Sequence, residues 1–190
     1  MSPHVLVPRP ETELLVESAL ALLQNGASLL DLGTGSGAIA LAIASERVDA
    51  KITATDISTD ALLVAKQNAE TLGIKVTFQE SRWLESLTGR WQIIVSNPPY
   101  IDPADPHLEN LHAEPQHALI ADEKGFADLR QIITEAPNYL ANGGWLLLEH
   151  GFDQAQQVRL LLEQSGFQAV TSHRDLANIE RVSLGQYLYE

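Results

Sequence analysis

Asn97-Pro98-Pro99-Tyr100 follows directly on the apolar run Trp91-Gln-Ile-Ile-Val-Ser96, and both lie downstream of a glycine-rich turn, Asp31-Leu-Gly-Thr-Gly-Ser-Gly37. An amide or aromatic amine is a poor nucleophile because its lone pair is held in conjugation. A side-chain carbonyl at Asn97 and a free backbone carbonyl at Pro98 can each accept one N–H of a substrate NH2 group, favouring a more pyramidal, more nucleophilic nitrogen. Proline at the two following positions fixes φ and biases Asn97 toward extended backbone, so the acceptors are held without an entropy cost at each turnover. Tyr100 can close over the planar group. Asn and Pro also punctuate ordinary turns. The context, a buried strand end after a nucleotide-type turn, makes Asn97, Pro98, Pro99 and Tyr100 candidate catalytic and substrate-binding residues for methyl transfer.

The glycine turn is read with the same care, because a lone Gly-rich match is weak. It follows apolar Leu29-Leu30 and opens a helical stretch at Ala38, the strand-turn-helix setting that a nucleotide cradle requires. Gly33, Gly35 and Gly37 let the backbone approach a ligand, and the helix N-terminus offers free N–H groups. Asp56 ends the next β-type segment, where a carboxylate can accept both ribose hydroxyls. NAD and S-adenosylmethionine both carry that ribose. The Gly-x-Gly-x-Gly spacing is tighter than the dinucleotide pattern, and a dehydrogenase gives no reason for Asn-Pro-Pro-Tyr, so S-adenosylmethionine is the expected cofactor. The bland alternative is that these glycines only pack a helix on a sheet.

The elements that must position these residues alternate, strand-like runs with helical spacing, which predicts an α/β fold with a parallel sheet covered on both faces. Strands are expected near 28–32, 51–55, 75–79, 91–96 and 145–149. Helices are expected near 11–24, 38–45, 59–72, 128–140 and 153–165, the last stopped by Gly166. The end, 169–173 and 183–189 around a polar loop, reads as an antiparallel pair. The stretch 102–125, rich in Pro, His and acid, reads as a substrate-facing lid. His107, His112 and His117 within it match no metal spacing, and no metal site is expected. His150 reads as a strand-end packing residue rather than a base, and Tyr187 and Tyr189 as core or rim.

Composition narrows the classes. At 190 residues the chain suits one domain, 1–190, able to bury a core unaided. It has no cysteine, which removes disulfides and thiolate chemistry. No apolar stretch approaches membrane-span length and no signal peptide is visible. Twelve basic against 25 acidic residues give a net charge of −13, which disfavours affinity built on neutralising phosphates.

With these residues in hand, the chain resembles the bacterial release-factor glutamine methyltransferases (PrmC/HemK family). The resemblance runs through Val7-Pro-Arg-Pro-Glu-Thr-Glu13, Asp31 to Gly37, Asn97 to Ile101, Pro106-His-Leu108, Glu114-Pro115, Leu147-Leu-Glu-His-Gly151 and Glu180-Arg-Val182. It implies a Rossmann-like seven-stranded methyltransferase sheet with a terminal antiparallel hairpin, and transfer of a methyl group from S-adenosylmethionine to the side-chain amide nitrogen of the glutamine in a Gly-Gly-Gln motif. The implied partners are peptide-chain release factors, met by a cytoplasmic monomer with no direct nucleic-acid or membrane contact. It further implies that Gly33, Thr34, Gly35, Ser36, Gly37, Asp56, Trp83 and Asn97 line the cofactor site, and that Arg9, Glu11 and Thr12 wall the substrate site beside Asn97 to Tyr100. Two departures stand out. Arg82 precedes Trp83 where the family usually carries an acid, which removes an acceptor for the adenine amine. The family's N-terminal helical domain is expected to be absent, since the chain begins almost at Val7-Pro-Arg-Pro10. The other readings are a ribosomal-protein glutamine methyltransferase, an adenine-specific nucleic-acid methyltransferase, and a binding domain without turnover.

Overall fold

Residues 9–104 and 119–189 are described by the computed structural model of this chain. Strands β1 (Ser28–Leu32), β2 (Lys51–Asp56), β3 (Thr77–Glu80), β4 (Trp91–Ser96), β5 (Leu140–Glu149), β6 (Gln168–Arg174) and β7 (Glu180–Tyr187) form one sheet in the order β3-β2-β1-β4-β5-β7-β6. The first five run parallel, while β7 is antiparallel to both β5 and β6. Helices α1 (Pro10–Leu22), α2 (Ala38–Glu46), α3 (Thr59–Leu72), α5 (Ala127–Glu135) and α6 (Ala155–Gln164) alternate with the strands, and α4 (Asp122–Gly125) is a single turn.

Period-two alternation sends successive strand residues to opposite faces. Leu30, Leu32, Ile94, Leu146 and Leu148 therefore pack with Leu129, Ile132 and Ile133 of α5 and Val158 and Leu162 of α6. Leu29, Ile93, Val95 and Leu147 pack on the other face with Leu15 and Ala19 of α1 and Ile39 and Ile43 of α2. Each buried Leu or Ile side chain contributes about 1.5–3 kcal/mol. Strands β1, β4 and the second half of β5, at the centre of the sheet, are buried on both faces, which is why they read as near-continuous apolar runs rather than alternating ones.

Several element boundaries differ from the sequence expectation. The helix expected over 128–140 stops at Glu135, and a 3-10 turn follows over Ala136–Asn138, where Pro137 cannot continue the α-helical ladder. Leu140 instead opens β5, five residues earlier than expected. The Gly143-Gly144 pair lies inside this strand. A Cβ on Gly144 would meet the carbonyl oxygens of Ala141, Trp91 and Gln92 at 2.9, 3.1 and 3.2 Å, so only glycine permits this approach. The β6–β7 connection is also shorter than expected, because β7 begins at Glu180. Tyr187 pairs with Gly144 at the opposite end of the sheet from Glu149 and packs against Phe167, at 5.5 Å between ring centroids.

The lid expectation divides. Residues 105–118, with His107, His112, His117 and the Pro106-His-Leu108 and Glu114-Pro115 motifs, lie outside the described residues, as do Val7 and Pro8. Residues 119–125 are not a lid but part of the framework: Leu119 and Ala121 are buried, and Ile120 bridges to Ile101.

Candidate active site

Strand register builds the site. Leu32 pairs with Thr55 on one side and Ser96 on the other, and Ser96 pairs with Leu148. Asp56, Gly33, Asn97 and Glu149 therefore reach one edge of the sheet side by side, about 14 Å from first to last at normal strand spacing. The chain order reverses between β1 and β4, the position at which α/β sheets open a crevice for ligands. Ser96 Oγ donates to the Leu32 carbonyl at 2.8 Å and ties the two turns together.

The three glycines do different work. A Cβ on Gly37 would press on Ala65 Cβ at 3.1 Å and Leu41 Cδ1 at 3.2 Å, so the helix-packing reading holds at this position. A Cβ on Gly33 would lie 3.1 Å from Trp83 Cζ3, so the indole closes on this glycine. Gly35 has φ +56° and nothing within 4 Å of its Cβ direction, the open cradle a ligand needs. Its N–H donates to Asp56 Oδ2 at 2.9 Å, and Ser58 N–H donates to Asp56 Oδ1 at 2.8 Å. Each Asp56 oxygen keeps a lone pair for a ribose hydroxyl. Thr34 is buried and donates through Oγ1 to Asp31 Oδ2 at 2.6 Å, so its side chain supports Asp31. The Ser36 carbonyl accepts from Asn68 Nδ2 at 2.9 Å, which braces the turn on α3.

Asp31 was not singled out from the sequence. It is fully buried, its Oδ2 also accepts from Ala40 N–H, and its Oδ1 has no hydrogen-bond partner among the described residues. Burial pushes its carboxyl up to about 7, opposed by the bonds from Thr34 and Ala40. An unpartnered carboxylate oxygen below an open glycine turn suits a cationic ligand group. The local signal was present: an acid at the end of an apolar strand, heading a glycine turn.

Trp83 adopts φ +46° and donates from Nε1 to Asp128 Oδ1 at 3.0 Å. Arg82 is exposed, and its charge partly offsets the upward shift that burial gives Asp128. An acid thus does stand beside the indole, supplied from α5 rather than from the preceding residue.

At the Asn97–Tyr100 turn, Asn97 Nδ2 donates to Thr12 Oγ1 at 3.3 Å. Among the described residues none donates to Asn97 Oδ1 or to the Pro98 carbonyl, which leaves both acceptors open. Tyr100 is fixed at both ends. Its carbonyl accepts from Gln154 Nε2 at 3.0 Å, while Gln154 Oε1 takes Gly151 N–H at 2.8 Å. Its hydroxyl lies 3.4 Å from Glu149 Oε1, and burial followed by the Glu149 charge pushes the phenol up to about 12, so it stays a donor. Gly125, at φ +84°, closes on the same turn so tightly that a Cβ would lie 2.1 Å from the Tyr100 carbonyl oxygen. The preceding Glu123 and Lys124 also have positive φ, and three left-handed residues in succession mark strain beside the turn.

Arg9 and Glu11 surround this group. Both charges act on Tyr100, and Arg181 Nη2 of β7 reaches Glu11 Oε1 at 4.0 Å. Glu149 is 1 % exposed, and burial pushes it up to about 7. His150 is buried, with Nε2 at 2.8 Å from Ser183 Oγ and Nδ1 at 2.9 Å from the Gly151 carbonyl oxygen. Its ring is committed to the β5–β7 join. Gly125, Glu149 and Gln154 escaped the sequence reading because their partners are distant in the chain. Among the described residues no helix is long and apolar enough to cross a membrane.

Comparison with known proteins places this geometry. Residues 10–174 match the family model of the methyltransferase small domain. A release factor glutamine methyltransferase of Yersinia pestis is 51 % identical over 98 % of this chain and 69 % of its own length. The protein of the same name in Aliivibrio fischeri is 48 % identical over the whole of this chain and 69 % of its own. Among solved structures, a release-factor-specific protein-(glutamine-N5) methyltransferase of Alicyclobacillus acidocaldarius is 30 % identical, with a TM-score of 0.60 over the full chain and 99 % of that structure. A methyltransferase of Pyrococcus furiosus, 18 % identical, shares the fold with a TM-score of 0.76 over the full chain and 88 % of its own.

Proposed function

The chain belongs to the release factor glutamine methyltransferases, and from that premise we propose that it methylates the side-chain amide nitrogen of the glutamine in the Gly-Gly-Gln motif of peptide-chain release factors. The observation that carries the reading is the Leu32–Ser96 register, which sets the open cradle at Gly35 beside the two open acceptors at Asn97 and Pro98. S-adenosylmethionine is the cofactor, and when bound it supplies an electrophilic methyl group on a sulfonium centre. The residues present suit it. Asp31 Oδ1 offers a buried acceptor to its ammonium group, Asp56 holds the ribose hydroxyls, and Trp83 offers its ring to adenine. Ile57, 61 % exposed directly after Asp56, gives the adenine a second apolar surface.

Asn97 Oδ1 and the Pro98 carbonyl each accept one N–H of the glutamine amide and hold its nitrogen for in-line attack. Positioning of this kind supplies most of the acceleration, because methyl transfer from a sulfonium needs no strong base. Tyr100, held at its carbonyl and its hydroxyl, closes the planar group between Pro99 and the end of β5. Arg9 and Glu11 line the entrance. The reading includes a protein partner, no direct nucleic-acid contact, and action as a cytoplasmic monomer; the net charge of −13 supports the protein over the nucleic acid.

The test is incubation with S-adenosylmethionine and unmethylated release factor, followed by mass spectrometry of the Gly-Gly-Gln peptide. A one-methyl gain on the glutamine is expected. Methylation elsewhere, or none, would overturn the substrate.

A further inference from the structure

Asn97 can serve a substrate NH2 group in only one of its two amide orientations. Oδ1 and Nδ2 are alike in shape, and an inverted amide would set NH2 against NH2. Resting on the glutamine reading above, we propose that Glu149 is a positioning residue, which accepts a hydrogen bond from the Thr12 hydroxyl, leaves Thr12 Oγ1 able only to accept from Asn97 Nδ2, and so turns Asn97 Oδ1 toward the substrate amide.

The surroundings of Thr12 and Glu149 support this relay. Asn97 Nδ2 lies 3.3 Å from Thr12 Oγ1. Thr12 is 8 % exposed and Glu149 1 % exposed, so solvent does not substitute for either partner. A threonine hydroxyl carries one proton; once that proton points to a carboxylate, the oxygen meets Asn97 as an acceptor alone. Glu149 Oε2 is buried with no hydrogen-bond partner among the described residues, and Thr12 is the side chain that most opposes the upward shift burial gives Glu149, which makes its hydroxyl the donor placed to serve that oxygen. Such contacts commonly tighten when substrate closes the site. Oε1 meanwhile faces the Tyr100 hydroxyl at 3.4 Å. One carboxylate therefore orients the residues on both sides of the substrate amide.

Protonation reverses the relay. A neutral Glu149 donates to Thr12 Oγ1, the Thr12 proton turns to Asn97, and the Asn97 amide inverts to receive it. The groups facing Glu149 are Glu11 of α1, which raises its pKa, and Thr12, Tyr100 and Arg181 of β7, which lower it; burial outweighs them all. Arg9 acts on the adjoining Tyr100. Loss of turnover is therefore expected as pH falls through about 7.

The experiment measures kcat and KM for release factor between pH 5.5 and 9 at saturating S-adenosylmethionine, for the wild type, Glu149→Gln, Thr12→Val and Thr12→Ser. Infrared difference spectra follow the protonated carboxyl band that Glu149→Gln lacks. The expected result is a kcat lowered about tenfold in Glu149→Gln and Thr12→Val, the worth of one hydrogen bond in the transition state, with the acid limb flattened in the former. KM should change little, and Thr12→Ser should restore the wild-type rate and profile. A Glu149→Gln enzyme with wild-type kcat and an unchanged acid limb would overturn the relay while wild-type methylation leaves the substrate reading intact. Failure of the wild type to methylate the glutamine would overturn both.

Discussion

Replacing Gly125 with alanine tests whether the catalytic turn is held from behind. The new Cβ would stand 2.1 Å from the Tyr100 carbonyl oxygen and 2.8 Å from both the Tyr100 carbonyl carbon and Gln154 Nε2. Restoring an ordinary contact of 3.4 Å requires about 1.3 Å of displacement, and two of the three obstructing atoms are backbone. Alanine at φ +84° adds about 1–2 kcal/mol of strain, and overpacking adds about 1–3 kcal/mol. Displacement of reacting groups by about 1 Å lowers rates by roughly 10²-fold. The shift falls on Tyr100, three residues from Asn97, and not on the glycine turn or Asp56. Gly125→Ala should therefore lose about two orders of magnitude in kcat on release factor, melt at lower temperature, and bind S-adenosylmethionine calorimetrically within a few-fold of wild type. Gly35→Ala is the control, since it carries comparable left-handed backbone strain at φ +56° but its Cβ meets nothing, so the rest of its cost falls on cofactor affinity. A folded Gly125→Ala protein with wild-type kcat would refute the claim that this contact positions the turn.

Asn97→Ala should cripple turnover while sparing cofactor affinity more than Asp56→Ala does; equal calorimetric loss in both would remove the division of labour between the two turns. Asp31 has a folded pKa raised to about 7 from an unfolded value near 3.8, so its contribution to apo stability is present below 3.8 and is lost as pH rises through 7. Thermal melts of Asp31→Asn between pH 4 and 7 should accordingly fall less steeply with pH than those of the wild type, and parallel curves would contradict the assignment. His150 has the opposite sign: burial depresses its pKa, so its contribution is present above 6.5 and is lost as pH falls below it. His150→Gln should weaken that acid-side loss in the same melts without altering the kcat profile.

Chemistry that occupies consecutive residues was legible in the sequence. Asn97 to Tyr100 and Gly33 to Gly37 each announce a strand, a turn and a ligand chemistry within a few positions, and the parallel sheet followed from apolar runs between helical stretches. What could not be read was set by pairs brought together from far apart. Thr12 meets Asn97, Gln154 meets Tyr100 and Trp83 meets Asp128 across separations of 85, 54 and 45 residues. Glu149 read as the polar end of an apolar strand, because only the fold brings Thr12, Tyr100 and Arg181 up to answer its charge. The helix expected through Leu140 failed on local grounds as well: Leu140 keeps the helical apolar spacing, but Pro137 forbids the hydrogen bond that would carry the helix to it.

The Ile101–Ile120 bridge marks where the chain rejoins the framework beside Tyr100. Ile101 N–H donates to the Leu119 carbonyl at 2.9 Å and Ala121 N–H to the Ile101 carbonyl at 3.1 Å, so the chain leaves the catalytic turn and returns to it at a single staple. Doubling the length of a segment closed in this way costs only about 0.6 kcal/mol, and the staple keeps that change from reaching Tyr100. The sequence between Ile101 and Leu119 is thus anchored to the framework at its two ends, and exchanging that stretch between relatives is the natural way to ask whether partner choice separates from chemistry.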